Sequence, residues 1–216
     1  DYAVFGGGDH KTGQARDPAR RYRELEQKLK ALIPGAKVDH RWSGQVIETN
    51  DGLPFMGETA PKQFVATGFS GNGITFGTVA AMMARDLIGG HKNPWQELFS
   101  VNRKVVRGGI WDYIKENKDY PYYFIKDRLA APDAKSLRVV KRGEGKIVWT
   151  KGKKLAVFRN AAGKLSIKSA VCPHLGCIVH WNGVEKTWDC PCHGSRFKAM
   201  GEVIAGPAES DLAGAS

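Results

Sequence analysis

The sequence predicts an α+β chain: a first part that mixes helices with strands, then an antiparallel β-domain. Three observations predict it. Tyr22, Leu25, Leu29 and Leu32 fall on one helical face. Residues 63–87 read as strand, glycine loop and helix. Short strand-like runs at 137–140, 146–150, 154–159 and 165–169 are separated by turns at Gly143-Glu-Gly145 and Asn160-Ala-Ala-Gly163. At 216 residues, 42% hydrophobic and 25% charged, the chain has room for one or two ordinary globular domains. No apolar run approaches the ~20 residues of a membrane helix, so no transmembrane segment is expected. Net charge is +11, and residues 98–160 carry 16 Lys/Arg against 6 Asp/Glu. Such a surface attracts nucleic acid, anionic lipid or an acidic redox partner. No nucleic-acid motif accompanies the charge, so it reads as solvated faces and no nucleic-acid partner is expected.

Taken in order, residues 2–5 read as a short strand running into a glycine-rich turn at 6–13. Gly8 and Gly13 have the spacing of a phosphate-binding loop, but Gln14 and Ala15 stand where Lys and Ser/Thr are needed, which excludes it. Asp17-Pro18 opens the first helix, and Pro34-Gly35 stops it. Residues 37–49 read as strand with a turn at Ser43-Gly44, and 51–57 as a loop. After the strand at 63–67, Gly68-Phe69-Ser70-Gly71-Asn72-Gly73-Ile74-Thr75 opens a helix that ends at Gly89-Gly90. Small residues at a helix N-terminus let backbone N–H groups approach a ligand and favour negative charge there. A tight helix–sheet contact demands the same glycines. Asn93-Pro94 starts a short helix to Leu98. Residues 100–134 read as a linker whose aromatics, Trp111, Tyr113 and those of the run at 120–125, pack between two domains together with Ile114.

All four cysteines lie in two boxes, Cys172-Pro-His174-Leu-Gly-Cys177 and Cys190-Pro-Cys192-His193-Gly-Ser195. Thiolate and neutral imidazole are the ligand set of zinc or of an iron–sulfur centre. Cys172 and His174, two apart, point to one side of an extended loop, and Cys190 and His193 converge if the chain turns over Pro191. The residues alone leave a zinc knuckle and a plain disulfide pair open, and they do not fix cysteine connectivity. The boxes resemble the two cluster-binding loops of a Rieske [2Fe–2S] protein, a long and specific match. The resemblance implies Cys172 and Cys190 on one iron, His174 and His193 on the other, and a Cys177–Cys192 disulfide. It implies that Gly206-Pro207-Ala208 forms a proline loop over the cluster. It also implies that Ser195 bonds a bridging sulfide. A tyrosine that bonds a ligand cysteine in quinol-oxidising members is replaced here by Phe197, so the potential is expected to drop by about tens of millivolts.

Trp42-Ser-Gly44, the loop Asp51-Gly52-Leu-Pro54-Phe-Met-Gly57 and the 66–77 stretch are similar to a D-amino-acid-oxidase-like FAD-dependent oxidoreductase. The resemblance implies that Gly68, Phe69, Ser70, Gly71, Gly73, Ile74 and Thr75 approach the flavin, with Asp51, Gly52 and Pro54 nearby. The family's GxGxxG fold, which holds the ADP half of FAD, is absent. The chain is therefore expected to be the C-terminal portion of a longer protein, missing its FAD-binding half and unable to retain FAD alone.

The domains expected are 1–99 (flavin-oxidoreductase segment), 100–134 (linker) and 135–216 (Rieske domain). The function expected is oxidation of a small amine or amino-acid-like substrate by FAD, with the cluster passing single electrons to a redox partner protein or small-molecule acceptor. The rivals are a Rieske electron carrier without oxidase activity and a zinc-stabilised basic nucleic-acid-binding protein. No catalytic residue is identified. A cytoplasmic location is expected in the absence of an export signal, although a disulfide argues mildly against it.

Overall fold

A computed structural model describes residues 2–49, 51–104 and 118–215. In chain order the elements are α1 (Pro18–Leu32), β1 (Phe55–Ala60), β2 (Gln63–Thr67), α2 (Gly73–Ile88) and α3 (Asp119–Leu129). A 3₁₀ turn (Leu137–Val139) precedes β3 (Glu144–Thr150), β4 (Lys153–Arg159) and β5 (Leu165–Ser169). Last come β6 (His180–Asn182), β7 (Thr187–Asp189), β8 (Arg196–Lys198) and β9 (Val203–Ala205). The α+β class with antiparallel sheets is as expected. By backbone proximity the chain forms two compact units, Asp1–Trp42 with Lys118–Ser216, and Ser43–Asn117.

In the first unit, β3-β4-β5 form one antiparallel sheet and β6-β7-β8-β9 another. Alternation places Ile147 and Ala156, a cross-strand pair, in a core with Ile178, Val179, Trp188, Phe197 and Leu212. Cys172, Cys177 and Cys190 belong to that same core. The opposite face of the three-stranded sheet buries Val148, Leu155 and Val157 with Val140. Helix α1 starts where Asp17 accepts the Arg20 N–H. Its Tyr22 hydroxyl donates to Glu185 (2.6 Å), which fastens it to the β6–β7 hairpin.

In the second unit, β1 and β2 form a hairpin, and α2 buries Ala80 and Met83 against Met56 and Phe99.

Several local expectations fail. Residues 2–5 and 37–49 are irregular, because no strand among the described residues pairs with them; Tyr2, Val4, Val46 and Ile47 stay exposed. The loop expected at 51–57 gives way to β1 from Phe55, paired to Thr67. Residues 93–98 make turns, and Asn93 caps the Trp95 N–H instead of starting a helix. The strand expected at 137–140 is the 3₁₀ turn, capped by Ser136. The expected linker contains α3; Trp111, Tyr113 and Ile114 lie outside the described residues.

Candidate metal centre

The two cysteine boxes fold into tips of the same design. In the first, the Cys172 N–H donates to the Cys177 carbonyl (2.8 Å) and the Gly176 N–H to the Cys172 carbonyl (3.0 Å). In the second, the Cys190 N–H donates to Ser195 (2.8 Å) and the Gly194 N–H to Cys190 (3.1 Å). Gly176 and Gly194 both have φ near +80°, which a side chain would strain, so the fifth position of each box requires glycine.

The tips face each other. Cys177 and Cys192 form a disulfide across them. Cys172 and Cys190 are free, buried thiols that hydrogen-bond each other. The rings of His174 and His193 lie 4.9 Å apart, at right angles. Sulfurs of Cys177, Cys190 and Cys192 come within 4.8 Å of one another, but two of these are spent in the disulfide, leaving Cys190 as that group's thiolate donor. The Cys172 thiol is lowered to about 6, first by the Cys190 thiol beside it and then, against burial, by the His174 N–H and the Ser195 hydroxyl. The same shared proton pushes Cys190 up, so the first proton of the pair leaves readily and the second does not. Burial, then the nearby His174, keeps the His193 imidazole neutral to lower pH than usual. Two buried thiols side by side, with two imidazoles meeting at the surface, are a donor set that fits a two-iron cluster with unequal ends.

Ser195 is fully buried; its Oγ accepts the Ala208 N–H at 3.0 Å, which ties the Gly206-Pro207-Ala208 segment to the second tip. Phe197 is fully buried in β8. Sequence reasoning missed α3, which lies against both tips. Its Tyr120 ring sits 5.4 Å from that of His193, and Arg128 stacks on Phe124 and donates to the Gly176 carbonyl (2.8 Å). The available signal was Tyr120, Phe124 and Arg128 at helical spacing of four.

In the other unit, the loops at 51–54 and 68–75 come together. A Cβ built on Gly68 would lie 3.8 Å from the Pro54 Cα and 2.5 Å from the Thr49 methyl. The Asp51 carboxylate accepts a two-pronged ion pair from Arg103 (2.9 and 3.0 Å) and the Leu53 N–H. First by that guanidinium, its pKa is held below the usual carboxylate range. Arg103 also donates to the Leu53 and Pro54 carbonyls and stacks on Phe55, so Asp51 and Arg103 shape this loop. Gly52, Gly68, Ser70 and Gly71 all have positive φ. The Ser70 hydroxyl is buried with no hydrogen-bond partner among the described residues, and Asn72 leaves the start of α2 without a side-chain cap. Phe69 turns inward onto Phe76, whereas Gly73, Ile74 and Thr75 are exposed, Ile74 at 92%. An orphaned hydroxyl beside an uncapped helix start fits a ligand with polar or anionic edges, as a flavin has.

Residues 131–215 match the family model of the Rieske [2Fe-2S] domain, and residues 1–87 that of FAD dependent oxidoreductases. The chain joins a Rieske domain to an FAD-dependent oxidoreductase segment. It is 39% identical over 212 residues, 97% of its length, to the Rieske 2Fe-2S iron-sulfur protein YhfW of Bacillus subtilis, and spans 42% of that protein. With the cytochrome b6-f complex iron-sulfur subunit of Chlorobaculum tepidum it shares 34% identity over 116 residues, 49% of this chain and 61% of that one. The plasma membrane Rieske protein PetC3 of Synechocystis is 34% identical over 33% of this chain and 74% of that one, with a TM-score of 0.31. The chain thus spans about two fifths of the first of these curated relatives and three fifths of the second. The match to the Rieske domain supports a [2Fe–2S] cluster, rather than zinc, as the metal group of residues 131–215. No helix among the described residues is long and apolar enough to cross a membrane.

Proposed function

We propose that this chain carries the electron-relay part of a flavin-dependent amine or amino-acid oxidoreductase. Cys172 and Cys190 hold one iron of the cluster, His174 and His193 the other. FAD is held between the loops at 51–54 and 68–75 and the part of the protein that carries the ADP site. When bound, the flavin supplies one- or two-electron exchange and the cluster one-electron exchange. The buried thiols keep water from the sulfur end of the site, and exposed His174 is where a redox partner can approach. The Ser70 hydroxyl and the first N–H groups of α2 would supply polar contacts to the bound flavin. The observation that carries this reading is the pairing of the two families in one chain, aligned over 97% of its length with a single relative.

The test uses the full protein with both cofactors, mixed anaerobically with a panel of small amines and amino acids. Flavin bleaching and the electron paramagnetic resonance signal of a reduced Rieske centre are expected in the same samples. Bleaching while the cluster stays oxidised would overturn the relay. If no panel member bleaches the flavin but a chemical reductant reduces the cluster, the chain is an electron carrier without its own oxidase activity.

A further inference from the structure

His180, on β6, has an acceptor at each ring nitrogen: the Gly13 carbonyl 2.8 Å from Nδ1 and the Asp127 carboxylate 2.9 Å from Nε2. Neither can donate, and a neutral imidazole carries a single N–H, so it satisfies one partner and turns a lone pair toward the other. Only the imidazolium donates to both. The three residues come from parts of the chain far apart in sequence, and the segments of Gly13 and Asp127 are fastened further to the two tips. Gly13 lies directly on the second tip: a Cβ there would sit 2.7 Å from the Pro191 nitrogen and 2.8 Å from the Cys190 carbonyl carbon. Beside it, Gln14 donates to the Pro191 carbonyl at 2.9 Å. Asp127 belongs to α3, whose Tyr120 covers His193 and whose Arg128 holds the first tip. Lys154 of β4 donates to the Asp127 and Ala130 carbonyls.

We propose that His180 is a positioning residue for the second cluster-binding tip: as an imidazolium it pins the strap Gly13-Gln14 and helix α3 together over that tip, and it releases them when its proton is lost. From α3 it is faced by Asp127, Lys126 and the ring of Tyr123, and Arg16, Asp133, Lys141, Arg142, Glu144, Lys146 and Lys186 line the same cavity. The Asp133 carboxylate accepts the Ile147 N–H, and Glu144 accepts the Lys141 N–H and pairs with Lys146, whereas Asp127 is bonded to the ring. Burial disfavours the charged ring, but the Asp127 carboxylate and the Gly13 carbonyl outweigh it and the pKa is raised. A histidine raised in the folded state contributes stability that is fully present below its ordinary value of about 6.5 and is lost as pH rises through the raised value. The latch is therefore closed in mild acid and opens on the alkaline side. It stands on these contacts alone; its effect on the cluster rests on reading Cys190 and His193 as ligands.

Hydrogen exchange on the cluster-loaded protein, corrected for the tenfold rise in intrinsic rate per pH unit, tests the latch. Protection of residues 11–14 and 119–129 is expected to fall by at least about tenfold as pH rises through the transition. Asp127→Asn is expected to move the transition down by about one pH unit or more, since an opposite charge in contact shifts a pKa by that much. His180→Gln is expected to abolish it. Protection that does not depend on pH in the unaltered protein, or a transition that Asp127→Asn leaves in place, overturns the latch. The second readout compares the cluster's electron paramagnetic resonance g-values in His180→Gln and the unaltered protein at one fixed pH, where titration of the ligands does not enter. A shift is expected. Loss of protection with unmoved g-values overturns the positioning role while leaving the ligand assignment standing.

Discussion

The hydroxyl of Ser195 accepts the backbone N–H of Ala208 at 3.0 Å, and so joins the tip of the second cysteine box to the proline segment Gly206-Pro207-Ala208. Both residues are buried. With its lone pair engaged by Ala208, the hydroxyl has its proton free to donate toward the Cys172 sulfur, which it contacts. Ser195→Ala removes both bonds and leaves a buried N–H without an acceptor, a loss of about 1–3 kcal/mol. It also removes a donor that favours the electron-rich state of the site. Urea unfolding is expected to move to lower concentration, and voltammetry to give a lower midpoint potential. An unchanged potential in a destabilised variant would show that the hydroxyl serves only the proline segment.

The disulfide and the free thiols separate in the same way. Cys177 and Cys192 are bonded across the tips, 15 residues apart in sequence, while Cys172 and Cys190 are free. A bridge closing a loop of that size stabilises by roughly 3 kcal/mol, mainly through the unfolded chain. Cys177→Ser is expected to assemble a cluster with its two-histidine spectroscopic signature and to lose it at lower denaturant. Cys172→Ser is expected not to assemble one. The reverse pattern would overturn the ligand assignment.

What was legible in the sequence, and what was not, follows from how local each signal is. The cysteine boxes were legible because ligand type, spacing and the glycine at the fifth position are all fixed within six residues. Helix α1 was legible because cap, periodicity and stop lie within it. Helix α3 was not, since Tyr120, Asp127 and Arg128 read locally as an aromatic and basic linker. The rings and polar groups that these three side chains meet belong to His193, His180 and Gly176, some 50 to 75 residues away. Residues 37–49 failed in the opposite direction: Val38, Trp42, Val46 and Ile47 are residue types that suit a strand, but such a run forms no ladder without a neighbouring edge. Strands β6 to β9 are three residues each, too short to show a period. Gly13 was dismissed with its phosphate-binding pattern, and its actual reason, close approach to the Cys190-Pro191 backbone, is visible only in three dimensions.

Gly145 offers a test of the core beneath the tips. The indole of Trp181 lies so close that a Cβ on Gly145 would sit 2.4 Å from Cδ2 of the ring. Trp181 cannot retreat freely, because Phe158 and Trp188 pack against it with ring centres 5.4 and 4.8 Å away. Gly145→Ala therefore forces a shift through three aromatic rings, and overpacking of this kind costs about 1–3 kcal/mol. Thermal unfolding is expected to move down by several degrees with the cluster spectrum retained. A variant as stable as the parent would mean that β3 moves away from Trp181 at no cost.

The remaining test concerns the potential. Phe197 is fully buried, two residues beyond Ser195, and pairs with Trp188 across β7 and β8. Quinol-oxidising Rieske proteins, the resemblance implies, carry a tyrosine here that donates to a ligand cysteine. Phenylalanine keeps the ring and lacks the donor, so the reduced state of this site goes without one charge-assisted bond. Such a bond is worth roughly 1.5–3 kcal/mol. Only the part that differs between oxidation states moves the potential, which leaves a shift on the order of tens of millivolts. Phe197→Tyr is expected to raise the midpoint potential by that amount, measured by voltammetry at fixed pH. Stability supplies the control. A hydroxyl that finds the sulfur is satisfied and costs little, whereas one left unpaired in this core costs about 1–3 kcal/mol. A raised potential with near-parent stability places the new donor on the ligand sulfur. An unchanged potential with near-parent stability sinks the argument, because the hydroxyl would then be paired and yet without influence on the electron.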